Sequence, residues 1–296
     1  MNDYGNTFRT FRKNKGYTLK QVASGIVSVS FLSKFERGDS DISFSMMVKL
    51  LERMMVTYEE FYFLHNREKT NAIDEFFNQA ETAYAKRDVQ AINRLKNQAI
   101  KSYQRSNLAP FQCNILLLEV YRSMIELETP DFEDESLEQL TNYLFDIETW
   151  GYYELRLYNS TLFLLPPESA IFFSKSIYSK IEAIKKLPLL HNVFIRIMLN
   201  TITYLTGGQN PRFLYEEECR TFMDYLDNSD IPEGDLEARV GYLQAQAYLD
   251  IRLGNVDKGV ATLKRVIALY EELSAHKLAE HSENYLNIIL SKNFTK

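Results

Sequence analysis

Within the stretch from Ser28 to Gly38, four residues, Ser28, Ser30, Phe31 and Lys34, offer two hydroxyls, an aromatic ring and an ammonium group. Leu32 and Phe35 are three apart, so a helix turns both of them inward and leaves the other set on its outer side. Serine hydroxyls exchange hydrogen bonds with base edges or phosphates, and a ring can pack on a thymine methyl. Lys34, with Lys20 and Arg9 upstream, can neutralise phosphates, which adds affinity but little choice of sequence. Phe31 has a second reading, as a core aromatic. These side chains suit a polyanion-binding surface.

Bond-making chemistry finds no comparable cluster. His65, His191, His276 and His281 share no metal-ligand spacing, and neither Cys113 nor Cys219 has a close partner. Gly207-Gly208-Gln209-Asn210 is a turn without the strand-and-helix context of a phosphate loop. The acidic runs from Asp131 to Glu135 and from Glu216 to Glu218 read as solvated helix starts. No nucleophile stands in a recognisable setting, so neither an enzyme nor a metal or other cofactor is expected.

Charge supports a nucleic-acid partner once it is divided by region. The whole chain of 296 residues carries −6, but residues 1–37 hold seven Lys/Arg against Asp3 and Glu36, a net +5. The remainder holds 27 basic and 38 acidic residues, a net −11. The head attracts a polyanion and the body repels one. Met1-Asn2-Asp3-Tyr4 lacks a secretory pattern, and apolar runs such as Ile115 to Leu118 and Leu162 to Leu165 are too short to span a bilayer. With two distant cysteines, a reducing cytoplasm and no membrane partner are the expectation.

The elements that must position these residues are helical throughout. The first helix runs from Tyr4 to Lys13. Thr18 and Gln21 have capping-box spacing for a second, and Ser28 caps a third that reaches Arg37. Gly38 supplies a left-handed residue past its end. Ser43 caps a fourth helix (Phe44 to Met55), and Thr57 with Glu60 opens a fifth. From about residue 70, longer helix pairs begin near Thr70, Ala109, Trp150, Pro188 and Leu236, a period of roughly forty residues that marks a helical solenoid. Breaks are expected at Asn107 to Pro110, Thr129-Pro130, Pro166-Pro167, Leu187-Pro188, Gly207-Gly208 and Ile231 to Gly234. Leu253-Gly254-Asn255-Val256-Asp257-Lys258-Gly259-Val260 resembles a tetratricopeptide turn, and a last helix from about Ala275 to Leu290 closes the stack.

Phe31 to Gly38 resembles the recognition helix of the phage-repressor (Xre-type) helix-turn-helix class. That resemblance implies that the N-terminal end of the third helix enters the major groove. It also implies a structural pair between Arg12 and Glu36, neither of which then reads bases. The whole chain resembles the Rgg/GadR/MutR family of regulators. The match rests on Thr7-Phe8-Arg9-Thr10-Phe11-Arg12, on Phe31 through Ser43, and on a helix-pair domain of the right length. The resemblance implies an all-α chain. Residues 1–66 form a five-helix lambda-repressor-like domain, and 67–296 a right-handed tetratricopeptide-like solenoid for regulation, dimerisation and ligand binding. It further implies a homodimer on double-stranded promoter DNA, controlled in quorum sensing by a short hydrophobic peptide on the concave face of the repeats. Some members carry a cross-linking cysteine just after the Ile-Ser of this stretch. Phe44 stands there, so a dimer must rely on packing.

Three stripes suit such a peptide. Tyr152, Arg156, Asn159 and Phe163 share a face at helical spacing; Arg196, Asn200 and Thr203 share another; Arg239, Tyr242 and Gln246 a third. Amides and guanidinium groups can bond a peptide backbone or its terminal carboxylate, and rings can cover its side chains. Ordinary solenoid surface is the competing reading for each. Two other functions remain open: a regulator that answers to acid, stress or a metabolite without a peptide, and a protein-interaction scaffold whose head no longer binds DNA.

Overall fold

A computed structural model describes residues 4–66, 71–126, 134–207 and 215–291, and among these every regular element is helical. Thr129-Pro130, residues 131–133 and Gly208-Gln209-Asn210 lie outside them. The chain forms two compact units, Met1–Ala91 and Ile92–Lys296. The division falls later than residue 66.

The first unit contains α1 (Tyr4–Asn14), α2 (Leu19–Ala23), α3 (Val29–Glu36), α4 (Phe44–Arg53), α5 (Tyr58–His65) and α6 (Ala72–Ala85). The caps lie where the sequence places them. Thr18 and Gln21 form a reciprocal capping box, as do Thr57 and Glu60, and the Ser28 and Ser43 hydroxyls accept from backbone N–H groups three residues on. Gly38 takes φ 79°, ending the turn after α3. Helix α4 stops at Arg53, earlier than expected, because Met55 adopts φ 51° and Val56 N–H closes onto Leu51 O. The apolar pair Met54-Met55 reads as helix by type, yet Met54 is buried and Met55 is left exposed beyond the cap. Phe8, Val22, Leu32, Phe35, Leu50 and Phe61 make the core of this unit.

The second unit contains most of α7 (Val89–Ser106), then α8 (Ala109–Glu126), α9 (Asp134–Asp146), α10 (Tyr152–Thr161), α11 (Pro167–Tyr178), α12 (Ile181–Ile184) and α13 (Pro188–Gly207). It continues with α14 (Glu216–Asp227), α15 (Leu236–Arg252), α16 (Val256–Glu272) and α17 (His276–Ser291). Pro167 and Pro188 each begin a helix, where a missing N–H costs nothing. Pro110 also sits in a first turn, inside α8, so the break lies at Asn107-Leu108, with Asn107 at φ 54°. The short α12 is an addition to the simple pair pattern.

Helix α13 is central, packing against α10, α11, α14 and α15. A buried hydroxyl chain crosses three helices there. Tyr158 Oη donates to Ala170 O and meets Ser174 Oγ at 2.9 Å, and Ser174 Oγ meets Thr201 Oγ1 at 2.9 Å. Each oxygen thus has the partner that burial demands. Between α15 and α16, Gly254 turns at φ 88°, and Gly259 lets the two backbones close: a Cβ there would lie 2.6 Å from Ala247 O.

Candidate nucleic-acid interface and ligand groove

Helix α3 buries Leu32, Phe35 and Glu36 and exposes Ser28, Val29, Ser30 and Lys34. Ser28 Oγ accepts from Phe31 N–H at 3.1 Å and lies 3.1 Å from Ser30 Oγ, so the cap and the outward hydroxyl are one small network. Phe31 is half-buried, between its two expected roles. Arg9 on α1 and Lys20 on α2 are exposed. Val29, an apolar side chain left 43 % exposed on this face, escaped the sequence reading because a branched residue just inside a helix looks like core.

Two contacts hold α3 against α1. At one end, the Gly5 backbone meets Phe35 so closely that a Cβ on Gly5 would lie 1.9 Å from Phe35 O. At the other, Arg12 Nε donates to Glu36 Oε1 at 2.5 Å, Nη2 to Oε2 at 2.6 Å, and Nη1 to Tyr17 O at 2.8 Å. The Glu36 bonds raise the arginine pKa above its ordinary value, against the opposing effect of burial. Arg12 therefore faces the protein interior. Nothing in spacing alone signals the Gly5 contact.

In the second unit a groove of about 230 Å³ has Asn159 of α10, Arg196, Asn200 and Thr203 of α13, and Glu237 and Gln244 of α15 in its lining. Asn200 Nδ2 donates to Asn159 Oδ1 at 2.9 Å, and Arg196 Nη2 to Glu237 Oε2 at 2.8 Å. The other expected residues go elsewhere. Phe163 is off the α10 stripe, because that helix ends at Thr161 and Phe163 sits in a 3-10 turn before the extended Leu165 and Pro166. Tyr152 and Arg156 do not line this groove and bond each other, Nη1 to Oη at 2.8 Å.

Tyr242 points to α14, where its hydroxyl donates to Asp227 Oδ1 at 2.6 Å, and with Arg239 it lines a different pocket. Gln246 is half-buried and does not line the groove. The face that α15 turns to the groove carries Ala238, Gly241 and Gln244 instead, one step round from the expected stripe. Gly241 packs closely against α13: a Cβ on it would lie 3.0 Å from Leu199 Cδ1.

Both cysteines are buried, and desolvation pushes each thiol up to about 12. Among the described residues no group of histidine, cysteine and carboxylate side chains is placed to hold a metal ion, and no helix is long and apolar enough to cross a membrane.

A family model described as HTH-type transcriptional regulator Rgg, C-terminal domain, matches residues 92–284. The chain belongs to the Rgg family. A helix-turn-helix family model matches residues 8–61, the α1–α5 region. The SHP pheromone receptor Rgg2 of Streptococcus dysgalactiae is similar in fold, with TM-score 0.77 at 20% identity over 96% of this chain and 98% of that one. A protein from Listeria monocytogenes EGD-e gives 0.82 at 22%, covering 99% of both chains. PrgX, in its complex with cCF10, gives 0.72 at 14%, over 97% of this chain and 99% of the other. This Rgg-family chain is a helix-turn-helix transcriptional regulator, built on the all-helical plan that these solved structures share.

Proposed function

We propose that the chain works in the cytoplasm as a homodimer whose α3 helices read two half-sites of a promoter, under the control of a short apolar peptide held in the repeat domain. Residues 1–66 contact DNA and 67–296 carry regulation, dimerisation and the ligand. On α3, Ser30 and Val29 meet base edges in the major groove. Lys34, Lys20 and Arg9 meet phosphates, and Ser28 keeps the helix start in place.

The observation that carries the peptide reading is the Asn159–Asn200 pair, two amides 41 residues apart in sequence brought side by side in one groove. Turned outward, each offers a donor and an acceptor to the main chain of an extended peptide, the pairing an apolar peptide needs wherever it leaves water. Arg196 beside them can bind a carboxylate. Support also comes from relatives of like fold, a pheromone receptor and a protein crystallised with cCF10. Peptide binding biases one dimer arrangement over another by the difference in its affinity for the two.

The test is fluorescence anisotropy with labelled apolar peptides encoded by small reading frames beside the gene. Saturable binding that weakens about fivefold or more in Asn200→Ala is expected. If none of them saturates, control without a peptide is the better account.

A further inference from the structure

A further cavity, of about 380 Å³, opens among α9, α10, α11, α12 and the start of α13 and shares no lining residue with the polar groove. Its wall is aromatic and aliphatic. Trp150 and Phe173 lie 5.4 Å apart by ring centroids, Phe145 and Phe172 stack at 5.1 Å, and Leu155, Ile177 and Ile184 complete it. Trp150 Nε1 already donates to Leu144 O, so the indole adds only apolar surface. Phe145 and Phe172 are half exposed at the rim, which leaves an apolar opening that water covers at a cost. The size and lining match those of pockets that take small apolar ligands.

The polar lining is sparse: Glu148, Thr149, Ser176 and Lys180. Lys180, exposed between α11 and α12, donates from its ammonium to the backbone carbonyl of Glu148 in the α9–α10 connection, and among the described residues it forms no ion pair. An exposed cation at the mouth of an apolar cavity complements a ligand with an apolar chain and an anionic head. The geometry points to an amphipathic carboxylic acid, a medium-chain fatty acid of roughly ten carbons by volume. Its chain fills the Trp150–Phe173 cavity and its carboxylate meets Lys180. The cavity and the groove draw on the same two helices: Leu155 and Asn159 are one turn apart on α10, and Leu190 and Asn192 lie on different faces of the first turns of α13. An acid held here thus contacts the same two helices that line the groove.

Trp150 is the chain's one tryptophan, so its emission reports this cavity alone. Full-length protein is titrated with sodium decanoate below its micelle concentration, and in parallel with methyl decanoate and decylamine. Saturable change with decanoate is expected, with decylamine roughly tenfold weaker. Lys180→Met is expected to bring the acid down to the level of the ester, and Glu148→Gln to tighten the acid. Ser176→Phe, at an exposed lining position, should abolish all three signals with the far-ultraviolet spectrum unchanged. Linear, unsaturating change would overturn the assignment, as would equal binding of acid and amine, or a Lys180→Met variant that still prefers the acid. An emission shift on diluting the protein alone would also overturn it, because a second copy would then fill the cavity.

Discussion

Arg12 and Glu36 meet through two nearly parallel hydrogen bonds, 2.5 and 2.6 Å long, with side chains 10 % and 4 % exposed. Removing one member leaves the other charge buried without an answer, which is the costly way to break such a pair. Glu36→Ala is expected to destabilise the N-terminal unit by about 3 kcal/mol. Arg12→Met combined with Glu36→Leu should cost much less than either single change. Urea unfolding followed by circular dichroism measures both. Equal losses in the single and double variants would mean that the pair contributes only volume.

The Gly5 contact makes a sharper steric prediction. A methyl 1.9 Å from Phe35 O has no flexible neighbour to push aside, so α1 must lift from α3. Gly5→Ala should lower stability by about 2 kcal/mol or more, in spite of alanine's better helix propensity. Gly16→Ala has open space around its Cβ but a φ of 73°, and should lose only the strain of that backbone, about 1 kcal/mol. A thermal melt of each variant separates the two cases.

On the outer side of α3, Lys34 and Ser30 should fail differently. Lys34→Ala is expected to weaken binding to operator and random duplex alike, and to reduce the slope of log affinity against log salt by about 1. Ser30→Ala should narrow the gap between operator and random duplex while leaving that slope intact. Anisotropy at several salt concentrations reads both. Identical salt slopes for Lys34→Ala and the unaltered protein would remove Lys34 from the phosphate contacts.

Cys113 and Cys219 predict an alkaline weakness. Both thiols are raised to about 12 by burial, whereas in an unfolded chain they ionise near 8.5. Above that lower value the unfolded state has lost protons that the native state keeps, so stability falls as pH rises. The loss is about 1.4 kcal/mol per pH unit for each thiol until its native pKa is reached. Chemical unfolding between pH 8 and 10 should show a steeper decline for the unaltered protein than for the Cys113→Ala, Cys219→Ala variant. Below pH 8 the two curves should run parallel. A thiol reagent at pH 8 should label neither residue before unfolding.

Local chemistry carried most of the fold. The caps at Thr18, Ser28, Ser43 and Thr57 and the glycines at 38 and 254 are short-range signals, and each appears as its residue type requires. The start points at Ala109, Pro188 and Leu236 follow from breaks of the same local kind. The groove was legible only in part. Asn159, Arg196 and Asn200 meet because α10 and α13 keep their phase over the relevant turns. Phe163 departs because a 3-10 turn changes the angular step. Arg239, Tyr242 and Gln246 lie outside this groove, because the side of α15 that faces it is marked by small residues, Ala238 and Gly241, which carry no polar or aromatic signal. The close approach at Gly5 depends on a residue thirty positions away, which no window of sequence contains.

The way α3 is anchored has a consequence for how such a protein diverges. Its position is set from behind, by a backbone contact at Gly5 and by a carboxylate buried against Arg12. Val29, Ser30 and Lys34 take no part in that anchorage. On the proposed reading of α3, a descendant acquires a new address on the chromosome through two or three surface replacements, with the scaffold beneath them unaltered.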